Sequence, residues 1–166
     1  MSCGRAWHPT VGAGLTRTLG RTHTLLQLQR MNKTIEIRSA RDGVALTLSN
    51  FVWEDRSVLA ESFLVSIKNY EVQAETRASS FMAPSLRDYF QDIATCWRGW
   101  EGEKRWATLE GELELTATAD KTGHIRLAIF LRAPYTGYHW ELRSALELEA
   151  GQLDSIASNV SAAWPA

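Results

Sequence analysis

Alternating apolar and polar positions predict an antiparallel hairpin near residue 40. Apolar side chains recur at every second position in residues 34–39 and again in residues 44–49, which is the period of a half-buried strand. Between the two runs lies Asp42-Gly43, a preferred pair for a two-residue type I′ turn. That turn would set Ile37 opposite Leu48 and bring both apolar rows onto one face of the hairpin.

A second hairpin is predicted over residues 59–74. Its first strand carries Phe63, Val65 and Ile67 in alternation, and the pattern continues with Tyr70, Val72 and Ala74. A tight turn near Lys68-Asn69 would pair the two strands with their apolar faces matched.

The period then changes to that of an α-helix. Apolar residues recur at helical spacing at Leu86, Tyr89, Phe90, Ile93, Ala94 and Trp97. Ser85 and Asp88 have the spacing of a capping box, and Gly99 supplies a stop signal. These features predict an amphipathic helix over residues 85–98 whose aromatic stripe faces the core.

A third hairpin is predicted over residues 112–132. A four-residue loop would mismatch the two apolar rows, whereas a three-residue loop, Lys121-Thr122-Gly123, aligns them, with Gly123 in the left-handed conformation of a G1 bulge. The resulting register pairs Ala119 with Ile125, Leu115 with Ile129 and Leu113 with Leu131. It also places Glu112 opposite Arg132, as an exposed cross-strand pair of little energetic weight.

The chain ends with one more strand and a short helix. The strand has Trp140, Leu142, Ser144, Leu146 and Leu148 on one face, and after Gly151 the residues Leu153, Ile156, Ala157 and Val160 have helical spacing. Strands joined by hairpins, without alternating strand–helix units, indicate the α+β class. We predict an antiparallel sheet of about six or seven strands built from hairpins, with one central and one C-terminal helix packed on it.

The net charge of -1 over 166 residues hides an uneven distribution. Residues 1–30 contain no acid and four arginines, which leaves 14 basic residues against 19 acidic ones, or -5, in residues 31–166. The first segment is rich in Gly and Thr and has no sustained apolar period. We therefore predict a disordered basic leader over residues 1–30 and a single α+β domain over residues 31–166.

Three interpretations of the leader remain open. Met31 directly precedes a strand-like run, so the leader could be an extension upstream of the natural start. It could also be an Arg-rich organellar transit peptide, or a basic arm that contacts an acidic partner. The two cysteines, Cys3 and Cys96, form no pairing framework, which is typical of a reduced intracellular protein.

Known catalytic and ligand-binding motifs are missing from residues 31–166. The sequence there has no Gly-rich phosphate loop, nucleophile elbow, HExxH or Cys/His cluster. His124 has no metal-ligand neighbour at a suitable spacing, so a structural hydrogen-bonding role is favoured. Glu110, Glu112 and Glu114 are interpreted as a solvated strand face. We accordingly expect no cofactor, no metal and no catalytic residue. An enzyme stays open as the alternative, since catalytic residues can converge from distant loops.

Residues 97–106, with the sequence WRGWEGEKRW, hold three of the seven tryptophans. Exposed Trp and Arg at this density are typical of a protein-binding hot spot. The candidate binding surface consists of Trp97, Arg98, Trp100, Glu101, Arg105 and Trp106. The alternative is that these tryptophans pin the helix and its following loop to the core. Base stacking is disfavoured because the acidic charge of residues 31–166 repels phosphates.

The ordered elements W-x-G-W-x-G from Trp97, E-G at Glu110, G-H at Gly123 and E-A-G-Q-L from Glu149 resemble a family of small uncharacterised bacterial proteins. This family is common in actinobacteria and is classed as a domain of unknown function; the resemblance spans about residues 34–163. It implies no activity and no site residues. The order of elements is also similar to small immunity proteins that neutralise wall-associated contact toxins, although that likeness is one of topology.

These observations favour a non-enzymatic, cytoplasmic, protein-binding domain of immunity type. Its acidic charge fits a basic, toxin-like protein partner and disfavours nucleic acid. No membrane is expected as a partner, since no apolar run approaches the roughly 18 residues of a membrane span. No pattern in the sequence specifies an oligomeric state. The alternative is a small-molecule-binding domain or an enzyme with a pocket between sheet and helices.

Overall fold

The computed structural model describes residues 33–53, 60–133 and 139–164, and the predicted leader lies outside these ranges. The described chain forms eight strands and two helices. In order they are β1 (Ile35–Arg38), β2 (Ala45–Trp53), β3 (Ala60–Lys68), β4 (Gln73–Ser79), α1 (Leu86–Thr95), β5 (Lys104–Ala107), β6 (Leu113–Ala119), β7 (His124–Arg132), β8 (Glu141–Glu149) and α2 (Ala150–Ala163). A unit of four strands and one helix therefore occurs twice.

The described strands form two antiparallel sheets of four strands each, in the orders β1-β2-β3-β4 and β5-β6-β7-β8. The predicted α+β class is confirmed, and the predicted single sheet of six or seven strands is wrong. After β4 the chain leaves through α1, so no hairpin pairs β4 with β5. The two sheets touch where the Ala40 N–H, in the β1–β2 loop, donates to the carbonyl oxygen of Glu147 on β8 at 2.8 Å.

One hydrophobic core is shared by both sheets and both helices. Alternate residues of each long strand point into it, as the period of two requires. An aromatic cluster closes one part of the core, where the rings of Phe51 and Phe63 meet the ring of Trp164 edge-on at centroid distances of 5.8 and 5.2 Å. Burial of these large rings contributes several kcal/mol to the free energy of folding, at about 2 kcal/mol for each side chain.

The register of the third hairpin is confirmed. Ala119 pairs with Ile125, and the ladder continues as predicted to Leu113 and Leu131. Gly123 has a φ of +85°, which places it in the left-handed region that the bulge requires. The pattern sufficed here because a loop of any other parity would have put one apolar row in solvent.

Glu112 does not have the exposed position that we predicted. Its side chain is only 6% exposed, and its Oε2 accepts a hydrogen bond of 2.7 Å from the Oγ1 of Thr108. The backbone register is as predicted, since the Arg132 N–H donates to the Glu112 carbonyl oxygen at 3.0 Å. The interpretation of Glu112 as part of a solvated face is therefore wrong, because the turn before β6 folds Thr108 over its carboxylate.

The first hairpin has a longer loop than predicted. Ile37 pairs with Leu46, two positions away from the predicted partner Leu48. The Ser39 N–H donates to the Val44 carbonyl oxygen at 2.9 Å and closes a four-residue loop. Within that loop the Asp42 carboxylate accepts the Val44 N–H at 3.2 Å. A hydrogen bond from Ser39 is the largest of the effects that lower the pKa of Asp42.

The second hairpin turns two residues later than predicted. Lys68 pairs with Gln73, and the Asn69 Oδ1 accepts the backbone N–H groups of Glu71 and Val72 at 2.8 and 2.6 Å. This Asx-type arrangement fixes the turn beyond Asn69. Tyr70 consequently lies at the tip, 87% exposed, and not on the buried face that its place in the alternation predicted.

The central helix begins where the sequence predicted and ends earlier. Ser85 is its N-cap, and its Oγ accepts the Asp88 N–H at 3.1 Å. All of the predicted stripe is buried as far as Ala94. The helix stops at Thr95 and not at residue 98, so Trp97 lies beyond its end.

The last strand and helix are close to the prediction. Leu146 and Leu148 of β8 are buried, and α2 buries the predicted residues Leu153, Ile156, Ala157 and Val160. Helix α2 begins at Ala150, because the Gln152 Oε1 accepts the Glu149 N–H at 2.9 Å and caps the first turn.

Candidate functional site

The six residues that the sequence singled out divide between a loop and a strand. Trp97, Arg98, Trp100 and Glu101 lie in the loop of residues 96–103 that connects α1 to β5. Arg105 and Trp106 belong to β5, a strand that we had interpreted as part of the loop. The candidate residues therefore do not form one continuous surface.

Trp97 is the exposed aromatic residue of the loop. Its side chain is 50% exposed, since the last helical turn closes at Cys96, whose N–H donates to the carbonyl oxygens of Asp92 and Ile93 at 3.2 Å. The guanidinium carbon of Arg98 lies 4.9 Å from the centroid of the Trp97 ring. This stacking holds a cation over an aromatic face, an interaction worth about 0.5–1 kcal/mol at an exposed site.

Trp100 anchors the loop to the body of the protein. Its side chain is partly buried and packs against the hydrophobic core. Its indole Nε1 is buried and has no hydrogen-bond partner in the described part of the chain. The Nζ of Lys104 lies 5.0 Å from the centroid of the Trp100 ring.

Lys104 connects the loop to the end of α1. Its Nζ donates to the Asp92 carboxylate and, at 3.2 Å, to the Sγ of Cys96. Burial acts to lower the pKa of Lys104, but the hydrogen bonds with Asp92 and Cys96 together outweigh it and raise that pKa. Lys104 thus ties the start of β5 to the end of α1, and so fixes both ends of the loop that carries Trp97 and Trp100.

The loop also packs tightly on the β6–β7 turn. A Cβ added at Gly99 would lie 2.6 Å from the carbonyl oxygen of Asp120, and one at Gly123 would lie 3.3 Å from that of Trp97. Both glycines have positive φ, +102° and +85°. The two backbones can approach this closely because neither residue carries a side chain.

Asp120 organises the β6–β7 turn. Its Oδ1 accepts from the Thr122 N–H at 2.8 Å, from the Thr122 hydroxyl at 2.6 Å and from the His124 N–H at 3.0 Å. These hydrogen bonds, with that of the Thr122 hydroxyl the largest contribution, hold the pKa of Asp120 well below its usual range.

His124 has the structural role that we expected. Its Nδ1 lies 3.1 Å from the Asp120 carboxylate and 2.8 Å from the Thr122 hydroxyl, and its Nε2 lies 3.5 Å from the Glu149 carboxylate. The imidazole therefore bridges the turn to the end of β8.

Two depressions flank the Trp97–Arg98 pair. One, of about 760 Å³, runs between α1 and α2, and its lining includes Trp97, Ala94 and Asp154. The other, of about 620 Å³, is lined by the loop and by the β6–β7 turn. We call the following residues the Trp97 surface: Trp97, Arg98, Trp100, Glu101, Asp120 and Lys121.

Asp120 and Lys121 were missed by the sequence analysis as site residues. They lie about 20 positions after the loop in the chain, in a turn that we predicted correctly. No local pattern shows that this turn and the loop meet, although the glycines at 99 and 123 are the residues that allow it.

Arg105 and Trp106 lie apart from the Trp97 surface. Trp106 is only 3% exposed, and its Nε1 donates a hydrogen bond of 2.7 Å to the Pro84 carbonyl oxygen. Its inclusion in an exposed binding surface is therefore wrong, and it belongs to the core. Arg105 points outwards from the β5–β8 sheet and forms an ion pair with Glu103, which raises the pKa of Arg105.

The outer face of the β5–β8 sheet carries a third, smaller depression of about 360 Å³. Both arginines of its lining are engaged within the chain: Arg126 pairs with Glu147 at 2.8 Å, and the Arg143 guanidinium lies 4.7 Å from the centroid of the Phe130 ring. This arrangement is that of a solvated sheet face.

The Trp97 surface presents an exposed aromatic ring and a guanidinium as contact groups. Among the described residues no group of three or more His, Cys, Asp or Glu side chains is arranged to hold a metal ion. None of the described helices has the length and apolar character needed to cross a membrane. The surface can bury an aromatic ring and donate hydrogen bonds from a guanidinium.

The model of a family of unknown function, DUF6228, matches residues 37–164. No curated protein and no solved structure matches the chain.

Proposed function

We propose that this chain, which belongs to the DUF6228 family of unknown function, is a non-enzymatic domain that binds another protein through the Trp97 surface. The observation that carries this proposal is the half-exposed Trp97 ring with Arg98 stacked on it, between two depressions. An aromatic ring beside two concave surfaces offers a partner apolar area to bury and depressions that its own side chains can fill.

The construction of the loop supports a binding role. Trp100 and Lys104 fix the base of the loop, and the contact of Gly99 with Asp120 fixes its side. Trp97 and Arg98 are thereby presented on a braced loop, so little conformational entropy would be lost when they are buried by a partner. Trp and Arg are the residue types most enriched among binding hot spots.

The partner that we propose is a basic, toxin-like protein, which this chain would neutralise as a cytoplasmic immunity-type protein in a bacterium. The charge of -5 over residues 31–166 supports a basic partner, because complementary fields accelerate association. The immunity role itself rests on the likeness in the order of elements, with strands, a central helix followed by a Trp, a long hairpin and a terminal helix.

The alternative, a ligand pocket between sheets and helices, finds less support. Side chains that are at most 2% exposed fill that region from both sheets and α1, among them Leu46, Phe63, Ile93 and Leu127. The three depressions described above open on the outside of the molecule.

Affinity capture from the native host with quantified recovery of partners tests the proposal. We compare the wild-type chain with Trp97→Ala/Arg98→Ala and with Tyr70→Ala as the matched control, since Tyr70 is an exposed ring on the tip of the other sheet. We expect the double variant to lose a partner that Tyr70→Ala retains, with an affinity at least about 30-fold weaker than that of the wild type. Equal recovery of the partner by all three folded chains would contradict the proposal. Recovery of a small-molecule substrate and of no protein partner would contradict it too.

A further inference from the structure

Strand β4 forms one edge of the first sheet. It pairs with β3 on one side, from Gln73 opposite Lys68 to Ser79 opposite Ser62, without a bulge. No strand of the described chain lies on its other side. The strand is seven residues long and contains no proline, so it has none of the backbone features that usually prevent a sheet edge from pairing.

The outward backbone groups of β4 can be identified from the turn. The Asn69 N–H donates to the Val72 carbonyl oxygen at 2.9 Å, so this pair is hydrogen-bonded. Hydrogen-bonded and non-hydrogen-bonded pairs alternate along an antiparallel ladder. The N–H and C=O groups of Gln73, Glu75 and Arg77 therefore point away from β3, while those of Thr76 point towards it.

The side chains of this edge carry a self-complementary charge pattern. Glu75 and Arg77 are exposed, whereas Thr76 between them is 7% exposed and faces the core. The Arg77 Nη1 donates to the Ser62 hydroxyl at 3.3 Å, and neither charge forms an ion pair within the described ranges. Two copies of the edge, running antiparallel, could meet in several registers, and the charges distinguish among them.

Only one central register pairs opposite charges. If the two-fold axis passes between the two Thr76 residues, Glu75 of each copy lies opposite Arg77 of the other. The dimer then has two pairs of opposite charge. A shift of the partner by two residues in either direction sets Glu75 against Glu75 or Arg77 against Arg77, and like charges directly opposite each other are destabilising. In the favoured register the outward N–H and C=O groups of Glu75 and Arg77 also form hydrogen-bonded pairs.

We propose that β4 of a second copy of this chain pairs with β4 in this register. The resulting symmetric dimer has one continuous eight-stranded sheet, in the order β1-β2-β3-β4-β4-β3-β2-β1. The axis is perpendicular to the sheet, so the buried face of each copy stays on the same side. The inference goes beyond the proposed binding function, because β4 belongs to the first sheet, whereas the Trp97 surface is formed by the α1–β5 loop and the β6–β7 turn.

A single strand pair buries little area, which places the dimer among weak, concentration-dependent associations. We expect half-dimerisation at on the order of 10–100 µM, with charge pairs that weaken as salt is raised. Sedimentation velocity of the full chain between about 1 µM and 1 mM measures this directly.

Charge reversal tests the register. Glu75→Arg gives an edge with two cations and Arg77→Glu an edge with two anions, so each variant alone should be monomeric at 18.6 kDa up to the highest concentration. A one-to-one mixture of the two variants should form a heterodimer, and the double variant Glu75→Arg/Arg77→Glu should recover the homodimer. Glu36→Arg, an exposed outward residue on β1, is the matched control and should dimerise as the wild type does. Circular dichroism confirms that each variant is folded.

A wild-type chain that remains monomeric at about 1 mM would overturn the proposal. A wild-type dimer that persists in both single variants would do so too, since association would then use another surface. A failure of the mixed single variants to associate, with both folded, would exclude the Glu75–Arg77 register.

Discussion

The backbone of Gly99 lies so close to Asp120 that a Cβ at Gly99 would be 2.6 Å from the Asp120 carbonyl oxygen. This contact joins the loop after α1 to the β6–β7 turn and places Asp120 and Lys121 beside Trp100. The Trp97 surface is therefore a product of tertiary packing between segments about 20 residues apart.

Substitution of Gly99 should be much more damaging than substitution of Gly102. Both have positive φ, +102° and +78°, so Ala costs about 1 kcal/mol at either position. Only at Gly99 does the new Cβ also meet backbone, which should raise the loss to about 2–3 kcal/mol. Urea unfolding of Gly99→Ala and Gly102→Ala measures the difference; equal losses would show that the close contact has no energetic weight.

Substitution by Phe should lower the free energy of unfolding much more at Trp106 than at Trp97. Trp106→Phe removes the hydrogen bond to the Pro84 carbonyl oxygen and leaves space in the core, so we expect a loss of about 2 kcal/mol in the free energy of unfolding. Trp97→Phe should change that free energy by no more than about 0.5 kcal/mol, because the ring is half exposed. Thermal or urea unfolding of the two variants checks this; a larger loss for Trp97→Phe would reverse the assignment of core and surface.

Asp120 should make the fold less stable as the pH falls into the acid range. The pKa of Asp120 is below its ordinary value of 3.8 because the Thr122 hydroxyl and the His124 N–H donate to its carboxylate. The folded chain therefore binds a proton less readily than the unfolded chain, and the carboxylate stabilises the fold at pH values above 3.8. This contribution is lost as the pH falls through and below that value.

Melting temperatures of the wild type and of Asp120→Asn across about pH 7 to pH 2 test this sign. The wild type should be the more stable chain at neutral pH, and its advantage should shrink as the solution becomes acidic. An advantage that grew with acidity would contradict the assigned direction of the pKa shift.

Removal of residues 1–30 should leave the melting temperature essentially unchanged. Their composition, with no acid, four arginines and no apolar period, offers little to bury in a core. Differential scanning calorimetry of the full chain and of residues 31–166 makes the comparison. A loss of several degrees on truncation would mean that the leader packs on the domain.

The hairpins show which parts of the fold the sequence could predict. The third hairpin was correct to the residue because its two long apolar rows match only across a three-residue loop with Gly123 at the left-handed position. In the first hairpin the Asp42-Gly43 pair suggested a tight turn. There the Ala40 N–H bonds to Glu147 on the other sheet, a tertiary contact that favours the longer loop and that no local pattern reveals.

The site was predicted in part for similar reasons. The density of Trp and Arg indicated the loop. The apolar period of α1, however, continues to Trp97, two residues beyond the last residue of the helix, Thr95. Trp106 belongs to the same Trp- and Arg-rich segment as Trp97 but lies in the core, because β5 pairs with β6 and its Trp106 ring packs inwards. Exposure of an aromatic residue in a loop depends on contacts distant in sequence, and these were not readable from the pattern.

Hydrogen exchange of the chain alone and in complex with its captured partner tests the central claim most directly. We expect new protection of the backbone amides in residues 97–102 and 120–123, the two segments that build the Trp97 surface, with little change in the β1–β4 sheet. Protection confined to β1–β4 or to the outer face of β5–β8, with residues 97–102 exchanging as in the free chain, would contradict the assignment of the binding surface.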